Sequence, residues 1–348
     1  MSALMVLVWG CVRPQLLGTV PAEEQIGLRA AAVEYLREAA FSDQPAIRMN
    51  AIEALGEVAP EEGLPCIMLN VENEYPGVSF AALMTLGSLG RSDCLDLIRT
   101  RAEHNDPNVR IAALYALHRL GDRRRTGELS DYLLHNRDAR VRANAALAIG
   151  RLEEPSSAKV LRGALKREPK NLAKLQLLEA LAILGDKHAA ERLIFDGRSA
   201  YPDQATLALG FLANARTPEA EDLFRDRLFS RDQPEVRMAA ARGLGRLGID
   251  DGLEMAVAHL WFKSPKKSWP KDPAEQQIAR VRGLAALALE AVGSPLALRS
   301  LKDAFERPDQ SEYVRLAVAR AAIRIIGLQQ GTYRPALATL GDSPAGER

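Results

Sequence analysis

Residues 106–121 read DPNVRIAALYALHRLG and contain the features that decide the fold. Asp106 is suited to cap a helix, and Pro107 to the first helical position, where its missing N–H is not required. From Val109 onward, apolar residues fall at i, i+4, i+7, i+8 and i+11, which places them on one side of a helix. Gly121 is typical of a residue that ends a helix, and the same role is expected at the corresponding glycines of other units, Gly56, Gly90, Gly150, Gly185, Gly248, Gly293 and Gly327. The stretch therefore predicts one amphipathic helix.

This helical unit recurs along the chain with a nearly constant spacing. Pro45, Pro76 and Pro107 lie 31 residues apart, and each precedes a pair of residues that marks the start of a unit. A second, shorter apolar stretch follows each first one, so that a unit contains two helices. Neither helix can bury its apolar side alone, and such units stack on their neighbours as a solenoid. The marker pairs are Ile47-Arg48, Val78-Ser79, Val109-Arg110, Val141-Arg142, Ala173-Lys174, Gln204-Ala205, Val236-Arg237, Val281-Arg282 and Val314-Arg315.

The composition of the 348 residues agrees with closely packed small helices. Apolar residues make up 47% of the chain and aromatic residues only 5%, so Ala and Leu supply most of the apolar surface. The 46 basic and 45 acidic side chains give a net charge of +1, which argues against a general nucleic-acid-binding protein. No run approaches the roughly 20 apolar residues of a transmembrane helix. At the usual spacing of packed helices, nine units in an elongated array should extend roughly 70–90 Å.

The stretches DPNVRIAALYALHRLG, RDARVRANAALAIGRL and DQPEVRMAAARGLGRLG resemble HEAT repeats of the short, phycobilisome-lyase-like type. The resemblance covers residues 44–327. It implies an all-α protein, a right-handed α-α superhelix of the HEAT/armadillo type with about nine helix pairs. We expect residues 21–43 to form an N-terminal capping helix and residues 328–348 to form a flexible tail.

The amino-terminal residues have two interpretations. Val8-Trp9-Gly10-Cys11 is similar to a bacterial lipobox, which implies that Cys11 is lipidated and holds the protein at the cell envelope. Residues 1–20 would then be a signal-like segment followed by a flexible tether. The alternative is a cytoplasmic protein with a frayed apolar terminus, because no basic residue precedes the apolar run.

Nothing in the sequence indicates a catalytic or metal site. The five His residues are scattered without metal-ligand spacing, and no P-loop or Gly-x-Ser-x-Gly motif occurs. We therefore predict no catalytic residue, no metal ion and no cofactor. Cys66 and Cys94 are expected to be separate buried thiols, because their offset on neighbouring helices is too large for a disulfide.

Arg residues recur in the marker pairs and allow two interpretations. Asp106 and Asp138 each stand four residues before such an Arg, which favours structural ion pairs at the turns. The alternative is a ladder of ligand-binding side chains. The series consists of Arg48, Arg110, Arg142, Arg237, Arg282 and Arg315.

Positions six and ten after the first residue of each marker pair leave the apolar stripe and should face the groove of the solenoid. They are acidic in the first unit, with Glu53 and Glu57, and basic in the last, with Arg320 and Arg324. This gradient predicts a protein partner with an acidic segment, and the alternative is an ordinary solvated face. The predicted contact residues on this face are Tyr115, Arg119, Arg151, Arg242 and Arg246.

One insertion interrupts the period at residues 261–273, WFKSPKKSWPKDP. Insertions in repeats project as loops and often serve binding. Trp269 with Lys266 and Lys267 would combine an aromatic anchor with positive charge. A neutral loop expansion, with Trp261 packed on its helix, is the alternative.

Together these features predict a non-enzymatic scaffold that presents its concave surface and the 261–273 loop to a protein partner, and that is tethered to a membrane through Cys11. We expect a monomer that does not bind nucleic acid. The alternative, implied by the resemblance, is a bilin or tetrapyrrole lyase-like subunit that acts on a protein substrate.

Overall fold

The computed structural model describes residues 16–264 and 272–333. Within these ranges the chain forms eighteen α-helices that alternate between an outer and an inner layer, and consecutive inner helices pack side by side. The outer helices are α1 (Ala22–Ala39), α3 (Pro60–Leu69), α5 (Leu95–Arg101), α7 (Gly127–His135), α9 (Ala158–Arg167), α11 (Lys187–Gly197), α13 (Glu221–Phe229), α15 (Leu253–His259) and α17 (Leu298–Glu306). The inner helices are α2 (Pro45–Val58), α4 (Pro76–Leu89), α6 (Pro107–Arg119), α8 (Ala139–Arg151), α10 (Asn171–Ile183), α12 (Pro202–Asn214), α14 (Pro234–Arg246), α16 (Ala274–Val292) and α18 (Glu312–Gln330). The all-α repeat architecture is confirmed.

The ends of the inner helices follow the local sequence. The Asp106 carboxylate accepts hydrogen bonds from the backbone N–H groups of Asn108 and Val109, and Pro107 is the first residue of α6, as predicted. Gly121 has a φ of +92°, in the left-handed region that ends many helices. Gly90, Gly185, Gly248 and Gly293 also have positive φ, as expected of helix terminators.

Three glycines that the period assigned to helix ends lie inside helices instead. Gly56, Gly150 and Gly327 belong to α2, α8 and α18. A Cβ atom at Gly150 would lie 2.8 Å from Cα of Ala180 on the next inner helix. The glycine is therefore required for the close approach of two helices rather than for a turn.

The first and last units are in contact, so the array is closed into a ring. Helix α18 packs against both α1 and α2. Leu316 and Ile323 of α18 belong to the same buried apolar cluster as Leu36 of α1 and Ile52 of α2. The Tyr35 hydroxyl donates a hydrogen bond to the backbone carbonyl of Glu312, which adds a polar link across this seam.

The expectation of an elongated array with free ends is therefore wrong. Period and helix content determine how neighbours stack, but the ends meet only because the rotation per unit sums to a full turn over the nine units. That rotation depends on side-chain volumes at each interface.

The segment that precedes α1 is packed and does not serve as a tether in its described part. The Gly18 N–H donates to the carbonyl of Leu296, and the Arg299 N–H donates to the carbonyl of Gly18. Val20 is buried in the main core, and Leu16 packs against it. The prediction of a flexible tether through residue 20 is thus wrong for residues 16–20.

Part of the extra length of this unit lies after residue 273, outside the predicted insertion, and lengthens an inner helix. Helix α16 has 19 residues, whereas α14 has 13, and the extra turns are at its amino-terminal end. Trp261 packs against the core beneath Arg307, whose guanidinium carbon is 5.8 Å from its ring centroid. Cys11, Lys266, Lys267 and Trp269 lie outside the described residues. In the two described ranges, no helix has both the length and the apolar character needed to cross a bilayer.

Close helix packing predicts opposite effects for two glycines in inner helices. A Cβ atom at Gly245 would lie 2.6 Å from the backbone nitrogen of Val292, whereas one at Gly210 would meet no atom within 4 Å. Gly245→Ala should lower the free energy of unfolding by about 1–3 kcal/mol because backbones must separate. The matched control Gly210→Ala should be neutral or raise it by up to about 1 kcal/mol through helix propensity. Urea unfolding of both variants tests this, and equal effects would contradict it.

Candidate functional site: the interior of the ring

The inner helices enclose a cavity of about 490 Å³. Its wall is formed mainly by positions six and ten of the inner helices, the two positions that the sequence assigned to the groove. Members of this set that line the cavity are Glu53, Glu57, Met84, Ser88, Leu147, Arg151, Ile183, Asn214, Arg242, Arg246 and Arg320. The pattern therefore identified the inner face, although closure of the array makes this face the wall of a cavity rather than of an open groove.

One side of the cavity is cationic. Arg242 and Arg246 of α14 line it together with Arg320 of α18. Arg324, one turn further along α18, is 12% exposed and lies beside Glu57 and Glu290. The pKa of Arg242 is lowered to about 10 by burial and by the neighbouring charge of Arg246, so its guanidinium is still charged at neutral pH.

Glu57 connects the two ends of the chain from inside the ring. Its carboxylate lies 2.5 Å from Nη2 of Arg320, 3.6 Å from Nη2 of Arg246 and 3.7 Å from Nη1 of Arg324. Burial acts to raise the pKa of Glu57, but the three guanidinium groups lower it to about 2. The first inner helix is thereby held to the seventh and the ninth.

Glu290 is a second carboxylate in this network, and the groove pattern missed it. Its side chain is 1% exposed and lies 3.1 Å from Nε of Arg320 and 3.4 Å from Nη1 of Arg324. It occupies position nine of its unit, where six of the nine units have Gly or Ala. A charged residue at a position where most units have a small residue is the sequence signal that could have identified Glu290.

The opposite side of the cavity carries most of its apolar side chains. Phe80 and Met84 of α4, Leu147 of α8 and Ile183 of α10 line it. By their order around the ring, these helices lie across from α14 and α18. The cavity is therefore amphipathic: its cationic wall faces a wall on which these apolar side chains lie beside Thr85, Ser88 and Arg151.

Arg151 is a cation of this cavity that has no hydrogen-bond or ion-pair partner among the described residues. No hydrogen bond or ion pair of its guanidinium is formed with any residue of the described ranges, and its Nε is buried. Nε of Arg242 is also buried without a partner, although Nη2 of Arg242 donates to Asn214. Buried donors without acceptors are costly, so these groups are available to an anionic ligand.

Glu53 shares the cavity with Arg151. Its pKa is raised because the surrounding protein limits hydration, although the side chain is exposed to the cavity. Arg320 and Arg151 oppose this rise.

Two residues at helix ends also border the cavity and were not predicted. Glu153 and Arg216 have φ values of +56° and +49°, at positions where other units use glycine. Both line the cavity, as does Tyr333, which follows α18. They mark the rim at which the inner helices end.

Tyr115 cannot be a partner contact, so that prediction is wrong. The side chain is fully buried, and its hydroxyl lies 3.0 Å from Oγ of Ser88. Gly87 of α4 leaves the space into which the aromatic side chain of Tyr115 packs, since a Cβ atom at Gly87 would be 2.9 Å from Cε1 of Tyr115. Arg119 lies on the same stripe of α6, with Nε buried, but is not among the cavity-lining residues.

The Arg residues of the marker pairs are structural, but their partners differ from those predicted. Arg142 forms two 2.7 Å contacts with the carboxylate of Glu168. Arg282 donates to the carbonyl of Phe262 and to the side chain of Gln310. The turn residues Asp106 and Asp138 instead cap their helices. The Arg series therefore fixes neighbouring loops and does not form a ligand ladder.

The two described cysteines are separate, as the sequence predicts. Cys66 and Cys94 are free, buried thiols, and burial raises the pKa of Cys94. Within the part of the chain that the structure describes, no group of three or more His, Cys, Asp or Glu side chains could hold a metal ion.

The HEAT repeat family matches residues 68–140, a range that includes α4 to α7 and the stretch DPNVRIAALYALHRLG. The same helix pair continues through both described ranges. The matched residues are HEAT repeats, and the fold is that of a HEAT-type α-solenoid. No curated protein sequence matches it significantly.

Solved HEAT-like structures are similar in fold only. The CpcE–CpcF complex of phycocyanin lyase from Nostoc sp. PCC7120 has 17% identity and a TM-score of 0.40, over 65% of this chain and 92% of that one. Human deoxyhypusine hydroxylase in complex with glycerol has 20% identity and a TM-score of 0.34, over 77% of this chain and 97% of that one. At these values the similarity carries no argument about activity.

The lowered pKa of Glu57 predicts a pH-dependent contribution to the stability of the HEAT ring. A carboxylate with a depressed folded-state pKa stabilises above its unfolded value of 4.5, and this contribution is lost as the pH falls toward about 2. Glu57→Gln should lower the free energy of unfolding by on the order of 2 kcal/mol at pH 7. The difference from wild type should shrink as the pH falls through this window in urea titrations.

The matched control for this test is Glu61→Gln. Its carboxylate is 79% exposed and lies 3.3 Å from Nη1 of Arg91, on the outer layer of the first two units. Exposed pairs contribute little, so the change should stay below about 0.5 kcal/mol. A pH-independent effect of Glu57→Gln, or an equal effect of both variants, would contradict the assignment.

Proposed function

We propose that this HEAT-repeat protein is a non-catalytic scaffold that takes an acidic, partly apolar segment of a partner protein into its ring. The observation that carries the proposal is the cationic wall of Arg242, Arg246 and Arg320, together with the unpaired Arg151. HEAT repeats commonly mediate protein interactions through the concave face.

Closure of the ring limits the kind of partner. A cavity of about 490 Å³ is too small for a folded domain and falls in the range of about 300–1,000 Å³ that holds small ligands. The side chains of an extended segment can enter it. Carboxylates of the segment would pair with the guanidinium groups, and its apolar side chains would contact Met84 and Leu147 on the opposite wall.

A fluorescent peptide of alternating Glu and Leu is the probe for this site. Arg151→Ala and Arg242→Ala should each weaken its binding about tenfold or more, because a charged hydrogen bond contributes about 1.5–3 kcal/mol. The matched control, Lys159→Ala, changes an exposed cation on α9 and should leave the affinity unchanged. Fluorescence anisotropy provides the measurement.

Two results would count against this function. One is equal binding of a Lys and Leu peptide of the same length, which would remove the role of the cationic wall. The other is unchanged affinity of both Arg variants, verified as folded by circular dichroism.

The apolar wall supports one alternative, a bound tetrapyrrole with carboxylate side chains, as in a lyase-like subunit. Phe80 and Ile183 would contact the macrocycle, and the Arg side chains would pair with its carboxylates. Biliverdin and hemin titrations followed by visible absorbance distinguish the two functions. A shifted spectrum that the Glu and Leu peptide fails to displace would favour the tetrapyrrole.

The membrane tether through Cys11 and the binding role of the 261–273 loop are separate parts of the proposal. Mass spectrometry of the mature amino terminus tests the first. A diacylated Cys11 is expected, and an unmodified Met1 or Ser2 would overturn it.

A further inference from the structure

The turns that connect outer to inner helices all lie on one rim of the ring. Each outer helix runs antiparallel to the inner helix that follows it, because only short turns join them. The inner helices consequently run in the same direction and begin at the same rim. Side chains of these turns therefore share one face of the molecule.

Along part of this rim, large apolar side chains are exposed. Four successive turns, from α7–α8 to α13–α14, carry them at or next to the helix ends. The exposed fraction ranges from 38% for Leu134 to 75% for Tyr201, with Leu172, Phe195 and Phe229 between these values. We call these five residues the apolar rim.

The same four turns carry exposed cations without carboxylate partners. Within the described residues, no ion pair or side-chain hydrogen bond is formed by Arg137, Lys166, Arg167, Lys170, Arg198 or Arg231. We call these six the basic rim. The acidic residues of these turns include Asp138, which caps α8, and Asp203 in the first turn of α12. Asp232 and Glu235 of the last turn pair with Arg227 and Arg280.

Cations on other parts of the surface are mostly neutralised. Arg124 pairs with Asp122 at 2.6 Å, and Arg91 pairs with Asp93 at 2.9 Å. On the same rim, the first units are acidic, with exposed Glu72 and Glu74. The positive charge is therefore localised beside the apolar rim rather than spread over the molecule.

We propose that the rim formed by these four turns docks on a bilayer that contains anionic lipids. Four turns of neighbouring units, spaced by roughly 8–10 Å, form a surface roughly 30 Å long. Cationic side chains interspersed with Phe, Tyr and Leu match the headgroup region of such a bilayer, where charge attracts and apolar side chains insert.

A bilayer suits this surface better than a nucleic acid does. Aliphatic Leu134 and Leu172 gain nothing from a phosphodiester backbone, whereas they are buried favourably at the headgroup–acyl boundary. The docking surface is on the rim opposite the one that Glu153 and Arg216 border, so the interior cavity stays accessible from the free rim.

The test is flotation of the full chain with vesicles of phosphatidylcholine alone or mixed with phosphatidylserine. All variants carry Cys11→Ser, so that no acyl anchor contributes. Wild type should bind only the anionic vesicles. Lys166→Glu with Lys170→Glu should weaken binding by about tenfold or more, since each basic residue near the surface contributes about fivefold.

The matched control is Lys159→Glu with Lys187→Glu, which reverses two exposed lysines at the start of α9 and α11, on the opposite rim. This variant should bind as wild type does. Phe195→Ala with Phe229→Ala should weaken vesicle binding by about tenfold, and the binding that is left should be more sensitive to salt because it depends on charge alone.

Three results would overturn the proposal. The first is equal binding of the two vesicle types, and the second is an equal loss of binding in the two lysine variants. The third is that the protein binds no vesicles but binds a labelled RNA or polyglutamate, and that Lys166→Glu with Lys170→Glu abolishes this binding. Peptide binding in the cavity is measured separately on the same variants, so failure of one proposal does not imply failure of the other.

Discussion

The contact of α18 with α1 and α2 is the interaction on which the rest of the structure depends. Without it, positions six and ten of the inner helices would form an open concave face. Leu316, Ala319 and Ile323 of α18 complete the apolar cluster of the first units, and Glu57 then joins three guanidinium groups across the interior. A partly buried carboxylate of this kind is favourable only when its partners are held in place, and the apolar seam holds them.

Closure also determines what the interior can recognise. Arg242, Arg246 and Arg320 come from the seventh and ninth inner helices, and closure brings Glu57 of the first inner helix against Arg246 and Arg320. Glu57 and Glu290 neutralise part of that charge, and Arg151 keeps its own. The interior thereby combines a network that stabilises the ring with cationic groups that have no carboxylate partner, and Arg246 and Arg320 belong both to the network and to the cationic wall.

Much of this arrangement is present in the sequence. The marker pairs located the inner helices, and positions six and ten located the cavity wall, because a helix with a constant period repeats its orientation in every unit. Closure was not predictable in the same way. Nine units close into a ring only if each is rotated by about 40° relative to the one before it, and other angles give an open superhelix. Contacts such as that of Tyr115 with Gly87 determine this angle. The burial of Tyr115 was not predictable for the same reason, because its aromatic side chain fills the space left by Gly87 on the preceding inner helix.

The central claim is that the two ends of the repeat array touch. Pulsed electron paramagnetic resonance measures this directly between spin labels at Glu38 of α1 and Glu312 of α18, both exposed, in a background of Cys11→Ser, Cys66→Ala and Cys94→Ala. A closed ring predicts a single narrow distribution below about 30 Å, because Tyr35 of α1 hydrogen-bonds to Glu312 itself. A distribution centred near the roughly 70–90 Å expected of an open array of stacked helices would contradict closure and every property of the cavity derived from it.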